Sequence, residues 1–160
     1  MEAITNSTVL IFLAKIARLD LLKIFKSIHS VNAVYLEVLS GKEIPASEKA
    51  LLEVFFKKSL KIETPAKIQI LDLGDGETGA ISLCVEKKQA VFLSDDKKAR
   101  RTAKFLGIDC IGTIGIILKN LKEKNISKEE AKNIVNQIIK SSYYLSVDVY
   151  AEIIELIEKY

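Results

Sequence analysis

The stretch Glu2-Ala3-Ile4-Thr5-Asn6-Ser7-Thr8-Val9-Leu10-Ile11 decides the fold. Residues 2–5 read as a short strand that ends at Asn6. From Thr8 the pattern turns helical, with Leu10, Ile11, Phe12, Leu13, Ile16, Leu19 and Leu22 recurring at helix spacing. A strand that passes through one small polar residue into a helix is the opening unit of a parallel α/β sheet.

Working outward, the same alternation repeats. Arg18-Leu19-Asp20 divides the first helical run in two, the second part reaching about Phe25. Ile28–Val31 is a brief strand, Asn32 a helix cap for the segment through Glu37, and Gly41 its end. Ser47–Lys58 is a helix with Leu51, Leu52, Val54 and Phe55 along one side, and Leu60–Glu63 a strand closed by Pro65. Residues 66–73 fit either strand or short helix, and Gly74 and Gly76 mark a turn. Glu77–Lys87 is helical, with Gly79, Ala80 and Cys84 as a small-residue face suited to close packing. Ala90–Leu93 is a buried strand, a helix runs from near Asp95 to Leu106 and stops at Gly107, and Ile108–Ile111 is the last strand. Gly112-Thr113 leads into the helix Ile114–Glu123.

The last third is helical. Ser127-Lys128-Glu129-Glu130 is a capping box ahead of the stripe Ile134, Val135, Ile138, Ile139. Ser146 caps a final helix with Val149, Ile153, Ile154 and Ile157 inward. Strands alternating with helices predict an α/β domain around a parallel sheet, plus C-terminal helices.

Composition narrows the class. The 160 residues are 49% apolar and 28% charged, which suits a folded domain with a real core. Net charge is +3, from 24 basic and 21 acidic residues, too small by itself to establish nucleic-acid binding. Cys84 and Cys110 lie among apolar residues without metal-ligand spacing, so buried free thiols and a reducing, cytoplasmic setting are expected. The apolar run Val9–Ala14 is too short to span a membrane, and no signal-peptide pattern opens the chain. His29 reads as surface or structural.

Candidate chemistry sits where strands meet helices. Glu37, Glu77, Asp95 and Asp96 each occupy such a junction or a helix end, and clustered acids repel one another unless a cation sits among them. Hard divalent ions favour oxygen ligands and can shield a phosphodiester while activating water. Glu37, Glu77 and Asp95 are the preferred ligands, with Asp96 in reserve because adjacent residues at one junction cannot both point inward. The competing readings are helix capping for Asn6, solvent exposure for Glu37, and first-turn charge for Glu77 and Asp95-Asp96. Ser94 and Thr8 offer hydroxyls. Lys97, Arg101 and Lys104 share a helix face with Arg100 beside them, so they could hold a nucleic-acid backbone without reading its sequence or form a solvated face.

The sequence also resembles a known family. Asn6-Ser7-Thr8-Val9-Leu10-Ile11 is similar to the opening of PIN domains, and closest to the small prokaryotic and archaeal PIN-like DUF3368 family. The resemblance is carried by Leu13-Ala14-Lys15-Ile16, Arg18-Leu19-Asp20-Leu21-Leu22, Val34-Tyr35-Leu36-Glu37-Val38, Gly76-Glu77 with Ala80-Ile81-Ser82-Leu83, Asp95-Asp96-Lys97-Lys98-Ala99-Arg100-Arg101, and Gly107-Ile108 with Gly112-Thr113-Ile114-Gly115. It spans roughly residues 4–124 and continues more loosely to Ser146-Val147-Asp148-Val149-Tyr150. It implies a three-layer α/β/α fold with four to five parallel strands over residues 1–124, and a helical extension over 125–160 packed on the same domain. It further implies a Mg²⁺- or Mn²⁺-dependent ribonuclease, often a toxin with an antitoxin partner and often a homodimer. The family's four acids fall on Asn6, Glu37, Glu77 and Asp95 or Asp96, and its hydroxyl on Thr8. Two departures each remove a carboxylate: Asn6 replaces an aspartate, and Gly79 replaces a second glutamate. The expectation is therefore weakened hydrolysis, or a catalytically silent domain that binds nucleic acid or a protein.

Overall fold

Five strands pair side by side in the order β3-β2-β1-β4-β5, and every pairing is parallel. They are β1 (Glu2–Thr5), β2 (Ser27–Ser30), β3 (Leu60–Ile62), β4 (Val91–Leu93) and β5 (Cys110–Ile111). The computed structural model describes every residue except Ser142. Successive side chains of a strand point to opposite faces. Ala3, Ile4 and Thr5 of β1 and Val91, Phe92 and Leu93 of β4 are nonetheless all buried, so helices cover both faces of the sheet. The result is the three-layer α/β/α architecture expected, with five strands.

The helices are α1 (Ser7–Lys15), α2 (Asn32–Ser40), α3 (Ala46–Ser59), α4 (Asp75–Glu86), α5 (Lys97–Phe105), α6 (Thr113–Lys122), α7 (Lys128–Lys140) and α8 (Val147–Lys159). A 3-10 helix spans Leu19–Ile24, where Arg18-Leu19-Asp20 was expected to divide the first helical run. Asn120, buried in α6, donates to the Leu21 and Ile116 carbonyls at 3.0 and 2.9 Å and ties this short helix down. Ala131, Ile134, Val135 and Ile138 of α7 are buried, and α7 packs on α6. The Arg18 guanidinium reaches Glu130 at 2.9 Å, joining the end of the first helical run to α7. No helix among the described residues is long and apolar enough to cross a membrane.

Several local expectations change. Asn32 is the first residue of α2 rather than its cap; Val31 occupies the cap position and supplies no side-chain acceptor. Gly74 and Gly76 do not form a free turn: Gly74 is the N-cap of α4, and Gly76 lies in its first turn. Residues 66–73 adopt neither strand nor helix. On α3 the inward residues are Leu52 and Phe56, while Leu51 and Val54 face outward. On α8, Val149 is exposed and Ile153 and Ile157 carry the packing. The errors on α3 and α8 share a cause: apolar residues outnumber the places where a neighbour covers them, so periodicity alone cannot choose the inward row. Cys84 is buried and Cys110 half-buried, both as free thiols. His29 is buried and structural, its ring between Glu63 and Ser27, with Lys87 completing the group through Glu63 at 3.1 Å.

Candidate functional site

The chain leaves β1 toward β2 and β3 on one side, and later returns to fill β4 and β5 on the other. Open parallel sheets bind ligands outside the carboxyl ends of their strands where the order reverses in this way. Here that crevice is flanked by Asn6, just after β1, and Ser94-Asp95-Asp96, just after β4. The two strand ends are locked together, since the Asn6 amide N–H donates to the Leu93 carbonyl at 3.1 Å.

Asn6 is fully buried and all of its side chain is engaged. Its Oδ1 accepts from the Thr8 amide at 3.2 Å and from the Thr8 hydroxyl at 2.8 Å, which makes it the N-cap of α1. Its Nδ2 donates to Ser94 Oγ at 2.9 Å. Ser94 is also buried, and the same oxygen accepts from the Asp96 amide at 3.1 Å. Thr8 Oγ1 accepts in turn from the Asp95 amide at 3.0 Å. The first acidic position of the resemblance is thus the hub of a neutral hydrogen-bond network.

Asp95 turns inward and Asp96 does not. Asp96 caps its own helix, α5, by accepting from the Ala99 amide at 2.6 Å. The carboxylate of Asp95 docks on the N-terminus of α6, where it accepts from the Thr113 amide at 2.9 Å and the Thr113 hydroxyl at 2.5 Å. A negative charge at a helix N-terminus is stabilised by the exposed amides and the helix dipole. Gly112 makes the approach possible, because a Cβ there would meet Asp95 Oδ1 at 2.7 Å and Arg100 Nη1 at 3.2 Å. A third donor comes from far along the chain: the Tyr143 hydroxyl donates to Asp95 Oδ1 at 2.8 Å. Tyr143 also packs edge-on against Phe12 of α1, with ring centroids 4.7 Å apart. Burial first, then the Asp95 charge, push the Tyr143 hydroxyl well above its ordinary pKa, so it remains a donor.

Glu37 and Glu77 form a separate, more open pair. Glu37 lies on α2 and its Oε2 nestles against Gly76, where a Cβ would come within 2.9 Å. Glu77 folds back over the start of α4, so that a Cβ on Gly74 would meet its Oε2 at 2.6 Å. Although Glu37 as a residue is exposed, the partial burial of its carboxyl raises its pKa; the Ser7 hydroxyl opposes that shift and the Glu77 charge adds to it. Gly79, the other departure, is a packing residue: a Cβ would meet Val31 Cγ2 at 2.9 Å, so a side chain there would have to displace Val31.

Beside this crevice runs α5. Lys97, Arg101 and Lys104 are exposed, Arg100 is half-buried, and Lys98 pairs with Asp72 at 2.7 Å. Asp72, Leu73, Gly74, Glu77, Asp96 and Lys98 line a shallow cleft between the two.

A resident Mg²⁺ or Mn²⁺ needs several oxygens with free lone pairs converging on one point. As arranged, the donors fall short of that. Asn6 and Asp96 serve as caps, and Asp95 already accepts three hydrogen bonds. Glu37 and Glu77 remain, and among the described residues no three His, Cys, Asp or Glu side chains gather to hold an ion. Sequence reasoning missed Thr113 and Tyr143 as partners of Asp95. Gly112-Thr113 at a strand–helix junction carried a signal for the first, whereas Tyr143, 48 residues from Asp95, carried none.

Comparison with known proteins agrees with this architecture. Among solved structures, the chain is similar to a PilT N-terminus domain protein from the hyperthermophilic archaeon Sulfolobus solfataricus P2. The two share 18% identity and superpose with a TM-score of 0.52, over 72% of this chain and 90% of that one. No curated protein matches. The model of the PIN-domain family DUF3368 matches residues 2–159, nearly the whole length, and the chain therefore belongs to the PIN-domain family.

Proposed function

We propose that this PIN-domain chain binds single-stranded RNA along the carboxyl edge of its sheet and the outward face of α5, and hydrolyses it weakly or not at all. One observation carries the reading: the three positions nearest the strand reversal are engaged in internal hydrogen bonds, with Asn6 capping α1, Asp96 capping α5 and Asp95 holding Thr113 and Tyr143. Each bond accepted in this way leaves fewer lone pairs for a metal or a water and fixes the direction in which the rest point. The cations Lys97, Arg101 and Lys104 remain exposed and suit a phosphate backbone, with Arg100 at their edge. RNA, rather than another polyanion, follows from the family resemblance.

A second reading, weak Mn²⁺-dependent hydrolysis, rests on Glu37 and Glu77. Their like charges oppose each other, which contributes to the raised pKa of Glu37, and a divalent cation would relieve that opposition. One experiment separates the two. Labelled single-stranded RNA is incubated with the protein and Mn²⁺, with EDTA and Glu77→Ala as parallel controls, and both binding and cleavage are followed. The expected result is binding that survives EDTA and Glu77→Ala, without cleavage. Cleavage confined to the wild-type sample with Mn²⁺ overturns the silent reading in favour of the second. Cleavage gained by Asn6→Asp alone identifies a site silenced at one residue. Absence of RNA binding overturns both.

A further inference from the structure

We infer that Phe105 is a base-stacking residue that ends a short nucleic-acid track along α5; the inference rests on the RNA-binding reading above. Phe105 is the last residue of α5 and is 90% exposed, so its ring is uncovered among the described residues. Large apolar side chains on a helix are ordinarily turned inward, but here Ala99 and Ala103 take the buried face. Residues advance about 100° per position around a helix. Lys97, Arg101 and Lys104 therefore point away from the sheet, and Phe105 stands beside them, one turn below Arg101 on the same side. The sequence Lys97-Lys98-Ala99-Arg100-Arg101-Thr102-Ala103-Lys104-Phe105 contains no acid. Lys98, the cation on the far side of Phe105, pairs with Asp72 at 2.7 Å, whereas Lys97, Arg101 and Lys104 lie together on the Arg101 side.

The arrangement fits an extended single strand better than a duplex. Lys97 begins at the crevice and Phe105 ends about 12 Å further along the helix axis, the rise of eight residues. That length accommodates about two extended nucleotides, with phosphates on Lys97, Arg101 and Lys104 and one base on the Phe105 ring. Stacking on an aromatic ring accepts any base, because every base has a π-face. The predicted recognition is therefore tolerant of sequence but requires an unpaired base. A basic helix carrying an exposed Phe also suits an anionic membrane, and the test includes that surface.

The test measures binding of the full chain to a labelled oligouridine, to an abasic ribose-phosphate oligomer of equal length, and to vesicles of phosphatidylserine and phosphatidylcholine. Phe105→Ala is expected to weaken oligouridine binding about tenfold. Phe105→Tyr should retain it, and Phe105→Leu, which keeps apolar area but loses the ring, should not. Binding to the abasic oligomer should be unaffected by any of the three. Phe105→Ala should leave the salt dependence unchanged, whereas Arg101→Ala should lower its slope by about 0.7. Because the side chain is exposed, all three variants are expected to fold as the wild type does. If Phe105→Ala binds oligouridine as tightly as the wild type, the stacking role fails while RNA binding stands. If the wild type binds no RNA, the underlying reading fails with it. Vesicle binding without RNA binding overturns the inference in favour of a membrane surface.

Discussion

The two halves of the crevice hold similar side chains in opposite conditions. At the ends of β1 and β4, Asn6, Ser94 and Asp95 are packed into a network in which each polar atom has a partner. Glu37 and Glu77 instead oppose each other near the surface, where the Ser7 hydroxyl partly offsets the strain on Glu37. The difference teaches that a carboxylate's chemistry depends on whether its lone pairs are already committed. Asp95 has the charge of a metal ligand but works as a clasp between β4, α6 and the segment around Tyr143. Glu37 and Glu77 have free oxygens but number only two.

The comparison can be broken most forcefully at Asn6. Asn6→Ala removes the α1 cap, the acceptor of the Thr8 hydroxyl and the donor to Ser94 Oγ, so urea unfolding should show a loss of about 2–3 kcal/mol. A loss under about 1 kcal/mol would mean that the network is incidental. Asn6→Asp keeps the cap but places a charge beside Asp95. In EDTA it should cost about 1–2 kcal/mol. About 1 mM Mn²⁺ should raise the melting temperature of this variant by several degrees and that of the wild type by less than about 1 °C. Equal shifts in the two proteins would remove Asn6 as the reason for weak metal affinity.

Tyr143→Phe is a gentler cut. It deletes one of three donors to Asp95 while keeping the ring against Phe12, and should cost about 1–2 kcal/mol in the same unfolding measurement. Combined with Asn6→Asp, it should increase the Mn²⁺ response, since it releases one lone pair on Asp95 Oδ1, which then keeps the Thr113 amide alone. No change in that response would show that Thr113 alone keeps Asp95 from the ion.

The smallest effects belong to the exposed pair. Glu77→Gln should lower the titration point of Glu37 toward its ordinary value, read by NMR, with global stability changed by less than about 0.5 kcal/mol. The folded state binds the Glu37 proton more tightly than the unfolded chain does. Glu37's contribution to stability therefore falls as pH rises from its ordinary value of 4.5 through its raised one, and is flat above. Glu63 behaves in the opposite sense. Burial raises its pKa, but hydrogen bonds with Lys87 and His29 outweigh burial and bring it below 4.5. Its stabilisation is present above that value and is lost as pH falls through the lowered one. Glu63→Gln should flatten the acid limb of the stability profile, and Glu37→Gln should remove the decline above it. Parallel responses of the two variants would contradict this assignment.

Much of the frame was legible in the residues. The strand ending at Asn6, the cap at Ser127 and the stop at Gly107, whose φ is +75°, all follow from local chemistry. Local patterning also anticipated that Asp95 and Asp96 would diverge. What stayed hidden was non-local. The commitment of Asp95 to Tyr143 depends on a contact that no periodicity encodes. The inward rows of α3 and α8 depend on what those helices meet, and the open ring of Phe105 on what they leave uncovered.

The contact between Gly79 and Val31 bears on how such a chain could change over generations. An acidic residue at position 6 would fit a site already shaped for a side chain of its size, and what it meets there is the charge of Asp95 and the loss of the bond to Ser94. An acidic residue at position 79 would collide with Val31 Cγ2, so the Val31 side chain would have to shift to admit it. The two missing charges are therefore unequal as histories. At position 6 the obstacle is charge, which a cation can offset, while at position 79 it is a packed side chain that has to give way.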